Sequence, residues 1–227
     1  MIIPHDFHFV WLHGSPTLPI DCQYFVDVWQ ELHSDWSITW WDGTEFELTN
    51  QAQFDAVGNV GARADILRYE ILQRHGGVYV DIDVEPCQNI ERVIEHCSAF
   101  VGKQGSGLGN YVVGATPQHE ALKAMVRKIG ELDVARIADM KNNAVMRETG
   151  PDQIHRVMFD RGDVTAFESD IFDGIYSTHH RYGTWIDPNN PKGLGDRIAS
   201  VSKMMGIKAC KGCVKRGHGI NEAMRGK

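Results

Sequence analysis

The segment from Asn59 to Asp83 constrains the fold more than any other part of the chain. Apolar residues recur at helical spacing from Asn59 to His75, and the pair Gly76-Gly77 follows, which predicts a helix ending in a left-handed stop. Val78-Tyr79-Val80 then predicts a short and fully buried strand. A buried helix joined by two glycines to a buried strand is typical of an α/β protein.

Other segments extend this pattern in both directions. The order strand, helix, helix, strand with short connections favours a largely parallel sheet. Aromatic and β-branched runs predict the strands, and apolar spacing predicts the helices. The predicted strands are Phe7–Leu12, Trp36–Trp41, Ala99–Val101 and Tyr111–Val113, and the predicted helices are Asp21–His33, His119–Ile129 and Asp152–Phe159.

Composition narrows the classes of function. With 227 residues, 42% of them hydrophobic, the chain is long enough for one globular core without a disulfide scaffold. A net charge of −7 argues against general nucleic-acid binding. No apolar run approaches the ~18 residues of a membrane span, and the start lacks the pattern of a secretory signal. With only five cysteines, we expect a cytoplasmic protein with reduced thiols.

Two carboxylates follow the predicted strand at its carboxyl end. Asp81 and Asp83 lie at the edge where open α/β sheets bind ligands. Oxygen ligands of this kind suit a divalent cation that bridges the oxygens of a diphosphate. The chain has 18 aspartates, so the spacing alone also fits chance. Two acids directly after an apolar strand are costly unless something neutralises them, which favours a metal role.

Asp65 and Arg68 are three residues apart on the preceding helix and therefore share a face. One interpretation is an ordinary ion pair on the helix surface, worth a few tenths of a kcal/mol. The other is a polar patch that holds sugar hydroxyls. The spacing by itself leaves both interpretations open.

Together these residues carry a resemblance to a known family. The stretch from Arg63 to Asp83, with its pattern D-x-x-R-Y, L and G-G-x-Y-x-D-x-D, resembles the DXD sugar-binding glycosyltransferases. That family includes yeast initiating α-1,6-mannosyltransferases and bacterial polysaccharide transferases, and clostridial glucosylating toxins share its catalytic layout. Weaker matches run from Phe7 to about Trp185: they are Phe9-Val10-Trp11, Asn110 with Gly114, Thr149-Gly150-Pro151, and His179-His180 before Trp185.

The resemblance implies a nucleotide-sugar-binding α/β domain of the GT-A type (Rossmann-like). It also implies a UDP- or GDP-sugar donor, a divalent metal (Mn²⁺ or Mg²⁺), and transfer with retention of configuration. It implies that Asp83 ligates the metal and that Asp81 contacts the metal or the ribose. Asp65 and Arg68 would bind the donor sugar, Trp11 would stack on the base, and Asn110 would lie near the sugar or diphosphate. His179, with His180 as its rival, would be a late metal or phosphate ligand, and Trp185 would close over the diphosphate.

Some of these roles have competing interpretations. Trp11 at a strand end also fits a core aromatic residue. His179 and His180 also fit a solvated turn. Near the late site, Thr184 stands where the family usually has Ser, and Arg-Tyr-Gly fills a spacer that is usually aromatic and small.

The end of the chain differs from the rest. Residues 203–227 carry a net charge of +6, so the remainder carries −13. We predict a catalytic domain over residues 1–190 and a basic appendage over 191–227 that binds a macromolecule or partner subunit. Cys210 and Cys213 form half a zinc site, for which His218 could supply a third ligand. The tail resembles a Cys-x-x-Cys ending of tailed-phage proteins, which implies the cytoplasm of an infected bacterium.

Three functions compete at this point. The first is a metal-dependent retaining glycosyltransferase acting on a glycan, a protein or another acceptor. The second is an aspartyl-phosphate phosphohydrolase with Asp81 as nucleophile and Asp83 as acid/base. The third is a non-catalytic sugar-binding or assembly module whose tail makes the interaction.

Overall fold

The computed structural model of the chain describes residues 2–12 and 18–182. The predicted boundary near residue 190, Trp185 and the zinc ligands Cys210 and Cys213 lie outside these residues. The elements that follow belong to one compact unit, Met1–His180. Its strands are β1 (Asp6–Val10), β2 (Ser37–Trp41), β3 (Gly77–Val80), β4 (Val84–Pro86), β5 (Ala99–Gln104), β6 (Gly107–Ala115), β7 (Thr165–Phe167) and β8 (Ser177–His179).

The helices pack around these strands, and the largest is α3 (Val60–His75). An irregular turn at Ile171–Ile175, with non-helical backbone angles at Asp173 and Gly174, precedes β8. The other helices are α1 (Ile20–Leu32), α2 (Gln51–Ala56), α4 (Glu91–Ile94), α5 (Glu120–Gly130), α6 (Val134–Ile137), α7 (Asn142–Glu148) and α8 (Pro151–Met158). None of the helices described between residues 2 and 182 has the length and apolar character that a membrane crossing requires.

The main sheet has six strands in the order β2-β1-β3-β6-β5-β7. The strands β2, β1 and β3 run parallel, as the α/β pattern predicts. The sheet then turns mixed, because β6 pairs antiparallel with both β3 and β5. The strand β7 returns parallel to β5 at the far edge. A parallel-rich α/β sheet is therefore confirmed, with two antiparallel pairings, both made by β6, that the sequence pattern did not predict.

A second sheet has only two strands and lies beyond the end of β3. In it β4 pairs antiparallel with β8, and Val84 lies opposite His179. The indole nitrogen of Trp29 on α1 donates a hydrogen bond to the Val84 carbonyl at 3.0 Å. This ribbon brings a late segment of the chain next to the residues that follow β3.

Helix α3 is more deeply buried than its apolar spacing predicts. We expected burial along one side, but every residue from 65 to 72 is buried. The polar members of this run are buried because each has partners. Glu70, for example, accepts hydrogen bonds from the backbone nitrogens of Thr49 and Asn50 at 3.1 and 2.8 Å. The centre of the helix is thus part of the core and of the site described below.

The helix begins and ends at residues that suit its termini. The Asn59 side chain accepts a hydrogen bond from the Ala62 nitrogen, which caps the first turn. Gly76 ends the helix with φ 70° and ψ −151°, so the predicted positive φ is right and the predicted left-handed helical region is wrong. Its extended ψ turns the chain directly into β3, where Gly77 also has a positive φ of 87°.

Gly77 gives a direct test of this connection. A Cβ at this position would lie 2.6 Å from the His8 Nε2 atom and 2.7 Å from the Asp6 carbonyl oxygen. We expect Gly77→Ala to lower the free energy of unfolding by more than about 2 kcal/mol, because strain and the contact with β1 add together. Urea unfolding followed by circular dichroism measures the effect.

Gly162→Ala is the matched control, since nothing lies within 4 Å of its added Cβ. We expect a change below about 0.5 kcal/mol there. Equal losses in the two variants would contradict the role assigned to Gly77.

Candidate active site

The two acids of the DXD sequence lie on a tight turn between β3 and β4. The Asp81 nitrogen donates to the Tyr111 carbonyl at 2.8 Å, which continues the pairing of β3 with β6 by one residue. The Val84 nitrogen then donates to the Asp81 carbonyl at 3.0 Å and closes the turn. Both carboxylates thereby project from the carboxyl end of β3, as the sequence predicts.

His179 completes a group with these carboxylates. Its Nε2 atom lies 3.5 Å from Asp83 Oδ1 and 4.0 Å from Asp81 Oδ2. One ligand atom of each residue falls within 4.8 Å of the others, so the three side chains could hold a metal ion. The Tyr111 ring stacks on the imidazole with 4.5 Å between centroids. Pairing of β4 with β8 is the reason that the imidazole reaches the acids.

The structure separates His179 from its rival. The His180 imidazole contacts a different acid, with Nε2 2.8 Å from Glu85 Oε2. Its ring stacks on Phe25 of α1 at 5.0 Å. The His180 backbone nitrogen donates to the Asp83 carbonyl at 3.0 Å. The neighbouring histidine thus supports the turn through its backbone while His179 supplies the side chain.

Arg68 joins helix α3 to the acidic turn. Its guanidinium Nη2 lies 3.2 Å from Asp65 Oδ1 and 3.2 Å from Asp81 Oδ1. The same group donates to the Asn110 carbonyl at 2.5 Å and lies 4.3 Å above the Tyr79 ring. Only 5% of Arg68 and 5% of Asp65 is exposed. Asp65 and Arg68 are therefore not a surface ion pair.

Burial and charge act against each other in this cluster. Burial alone would lower the pKa of Arg68, but Asp81, Tyr79 and Asp65 together raise it above its ordinary value, so the guanidinium stays charged. Burial raises the pKa of Asp81, and the Arg68 charge opposes that rise. Burial also raises the pKa of Asp65 to about 6, again against Arg68. The buried arginine is therefore the charge that favours the ionised form of both acids.

Asp65 has two further hydrogen-bond donors. The Asn110 amide donates to Oδ1 at 2.8 Å, and the Thr149 hydroxyl donates to Oδ2 at 2.9 Å. The Asn110 amide also lies 3.3 Å from the Tyr69 hydroxyl, which donates to the Thr149 carbonyl at 3.0 Å. The structure thus brings Asn110 to Asp65, and its predicted place near a donor stays a prediction.

Trp11 follows β1 at the same edge of the sheet. Its nitrogen donates to the Trp41 carbonyl at 2.9 Å, and the residue is half-buried. Because β1 and β3 are parallel neighbours, their carboxyl ends meet at this edge. Base stacking by Trp11 therefore stays a prediction that is compatible with its position, and Trp185 lies outside the described residues.

Sequence reasoning assigned no role to several residues of the site. The Tyr79 hydroxyl donates to Asp81 Oδ1 at 2.7 Å, and a signal for this contact existed, because residues two apart in a strand share a face. Thr149 belongs to the family resemblance only through its order in the chain. Its contact with Asp65 had no local signal, since the two residues are distant in sequence.

Comparison with solved structures defines the fold. The chain is similar to the glycosyltransferase domain of the YGT toxin, both UDP-bound (13% identity, TM-score 0.56, 93% of this chain and 88% of that one) and ligand-free (12%, 0.56, 95% and 89%). It is also similar to the PaToxG glycosyltransferase (14%, 0.52, 70% and 68%). At these identities the likeness shows the fold, which is that of GT-A glycosyltransferase domains.

Comparison with known sequences then gives a partial family match. Residues 19–100 match the family described as glycosyltransferase sugar-binding region containing DXD motif. This match covers the segment that carries the resemblance and confirms that the chain is similar to the DXD glycosyltransferases over these residues.

The curated relatives come from yeasts and a giant virus. Inositol phosphoceramide mannosyltransferase 3 of Schizosaccharomyces pombe is 33% identical over 107 residues, which are 44% of this chain and 30% of that protein. Mannosyl phosphorylinositol ceramide synthase SUR1 of Saccharomyces cerevisiae is 29% identical over 129 residues (53% and 33%). The uncharacterized glycosyltransferase L373 of Acanthamoeba polyphaga mimivirus is 21% identical over 162 residues (65% and 64%). The matched segment spans about a third of each of these two yeast relatives. The relatives do not support a phage origin.

The buried arginine makes a testable contribution to stability. We expect Arg68→Met to lower the free energy of unfolding by roughly 3–5 kcal/mol, because Asp65 and Asp81 would lose their buried counter-charge. Denaturant unfolding at neutral pH measures the loss.

Lys123→Met is the control, since Lys123 pairs with Glu120 on an exposed face of α5. We expect a change within about 1 kcal/mol there. An Arg68→Met variant as stable as this control would show that the guanidinium does not hold the acids.

Proposed function

We propose that the protein is a glycosyltransferase that uses a divalent metal to move a sugar from a nucleotide-diphosphate donor to an acceptor, with retention of configuration. The observation that carries the proposal is the group of Asp81, Asp83 and His179 beside the buried Arg68–Asp65 pair. A metal-binding group and a sugar-binding pair at one sheet edge are what such a donor requires.

The three side chains fit a divalent cation. Two carboxylates suit Mg²⁺ or Mn²⁺, and an imidazole adds a preference for a transition metal, so Mn²⁺ satisfies all three. Asp83 and Asp81 would hold the ion, with His179 as the third ligand. When bound, the cation acts as a Lewis acid for the charge of the diphosphate leaving group.

The protein side chains would then position the sugar. Asp65 accepts a hydroxyl hydrogen of the sugar. Arg68 contributes a fixed positive charge in a water-poor site, where electrostatic effects are strong. Trp11 would stack on the base, and Trp185 would close over the diphosphate. We also propose a separate basic appendage over residues 191–227.

Asp81 fits a ligand better than it fits a nucleophile. Its Oδ1 atom accepts from the Tyr79 hydroxyl and lies beside the Arg68 guanidinium. A carboxylate so held is positioned but weakly nucleophilic, which argues against the aspartyl-phosphate phosphohydrolase. The intact set of charged residues argues against a module that has lost catalysis.

The family resemblance implies retention, and the lack of a second nucleophile in the motif argues against reaching it by a double displacement. A double displacement needs a carboxylate that is free to attack the anomeric carbon. Asp65 is engaged by three side chains and is 5% exposed, which leaves it unsuited to that role. We therefore infer attack from the face that the diphosphate leaves, with a diphosphate oxygen taking the acceptor proton.

The metal ligands can be tested by one substitution. We expect Asp83→Asn to reduce nucleotide diphosphate release from UDP- or GDP-sugars with Mn²⁺ by at least about 100-fold, because a charged ligand is lost. The melting temperature should stay within a few degrees. Asp152→Asn, on the exposed start of α8, is the control and should keep full activity.

The same assay separates the alternatives. A chelator should stop turnover in the wild-type protein, and added Mn²⁺ should restore it. Phosphate release from phosphomonoesters would favour the phosphohydrolase instead. No turnover of any donor would favour the binding module.

The stereochemistry is a separate prediction. An α-linked donor should give an α-linked product, because leaving group and acceptor use the same face. Proton NMR of the anomeric signal in the first product decides it. A β-linked product would contradict retention while leaving the transferase proposal intact.

Glycan, protein and inositol-containing lipid acceptors should be compared, the last because of the names of the yeast relatives.

A further inference from the structure

Thr149 lies between helices α7 and α8 and is fully buried. Its backbone nitrogen donates to the Val145 carbonyl at 3.1 Å, and the Gly150 nitrogen donates to the same oxygen at 2.8 Å. These two bonds end α7. They also fix the position of Thr149, and with it the hydroxyl group that faces helix α3.

The hydroxyl has two oxygen atoms within reach, but only one of them has room for its proton. The Oγ1 atom lies 3.1 Å from the Val145 carbonyl and 2.9 Å from Asp65 Oδ2. A carbonyl oxygen has two lone pairs, and the backbone nitrogens of Thr149 and Gly150 already use both on Val145. The Thr149 proton therefore goes to Asp65.

Counting acceptor positions on Asp65 shows what remains for a ligand. A carboxylate offers about four lone-pair positions. Oδ1 faces the Asn110 amide and the Arg68 guanidinium, and Oδ2 takes the Thr149 hydroxyl. Among the residues that the structure describes, this leaves one position, on Oδ2, without a protein donor. Its direction is set by the bond to Thr149.

We propose that Thr149 is a positioning residue that aims the Asp65 carboxylate so that it accepts one, and only one, hydroxyl of the donor sugar. The inference rests on the proposed function, in which Asp65 contacts the donor. It deepens that function by assigning part of the sugar specificity to a residue that does not touch the sugar. Thr149→Val removes the hydroxyl and keeps the shape, whereas Thr149→Ser keeps the hydroxyl.

The experiment compares these two variants with the wild-type chain on monodeoxy analogues of the active donor. In the wild type, we expect removal of one particular hydroxyl to reduce kcat/KM by at least about tenfold through the contact with Asp65. In Thr149→Val that penalty should fall to about twofold or less, because the carboxylate is no longer aimed. Thr149→Ser should keep the wild-type pattern.

A purely structural role predicts something different. It would lower the melting temperature of Thr149→Val and leave the ranking of the deoxy donors unchanged, which would overturn the inference. If the Val variant does not fold, Thr149→Cys against Thr149→Ser makes the same comparison, since a thiol is a weaker donor of similar size. Equal penalties in those two would also overturn it.

Binding separates this inference from the proposed function. Calorimetry with Mn²⁺ gives the affinity for UDP-sugar and for UDP alone in each variant, without turnover. If the wild type binds donors but transfers no sugar, the proposed function fails, and the inference survives only if the sugar's added affinity is lost in Thr149→Val and kept in Thr149→Ser. A wild type that gains no affinity from the sugar would overturn the inference as well.

Discussion

The buried guanidinium of Arg68 is the interaction on which the rest of the site depends. It lies 3.2 Å from one carboxylate oxygen of Asp65 and of Asp81, and it joins helix α3 to the turn after β3. Two buried carboxylates without this charge would repel each other in a water-poor environment. With it, Asp65 and Asp81 keep fixed positions relative to one another.

The two sheets position the site residues that Arg68 does not contact. Parallel pairing of β1 with β3 brings Trp11 to the same edge as Asp81, and the β4–β8 ribbon brings His179 from the end of the described chain. A site built this way draws on segments far apart in sequence. The hydrogen bonds from Asn110 and Thr149 then fill most of the acceptor positions of Asp65.

Periodicity predicted the local part of this arrangement, and only the family resemblance indicated its long-range part. The helix over residues 60–75, the two glycines and the strand before Asp81 were all visible as periodicity and turn chemistry. The preference for His179 over His180 came from the resemblance alone, because it depends on the register of β8 against β4. Local spacing also left Asp65 and Arg68 open to a surface interpretation, and only the packing of α3 shows that they are buried. The contact of Thr149 with Asp65 likewise depends on how α7 and α8 meet α3.

The proposed site requires that Asp81, Asp83 and His179 bind one divalent ion together. Pulsed electron paramagnetic resonance of protein-bound Mn²⁺ with UDP measures this arrangement, because an imidazole ligand gives a nitrogen coupling. We expect that coupling in the wild-type protein and in His180→Gln, and its loss in His179→Gln. A wild-type signal without the coupling, or a coupling that disappears in His180→Gln instead, would rule out this set of ligands.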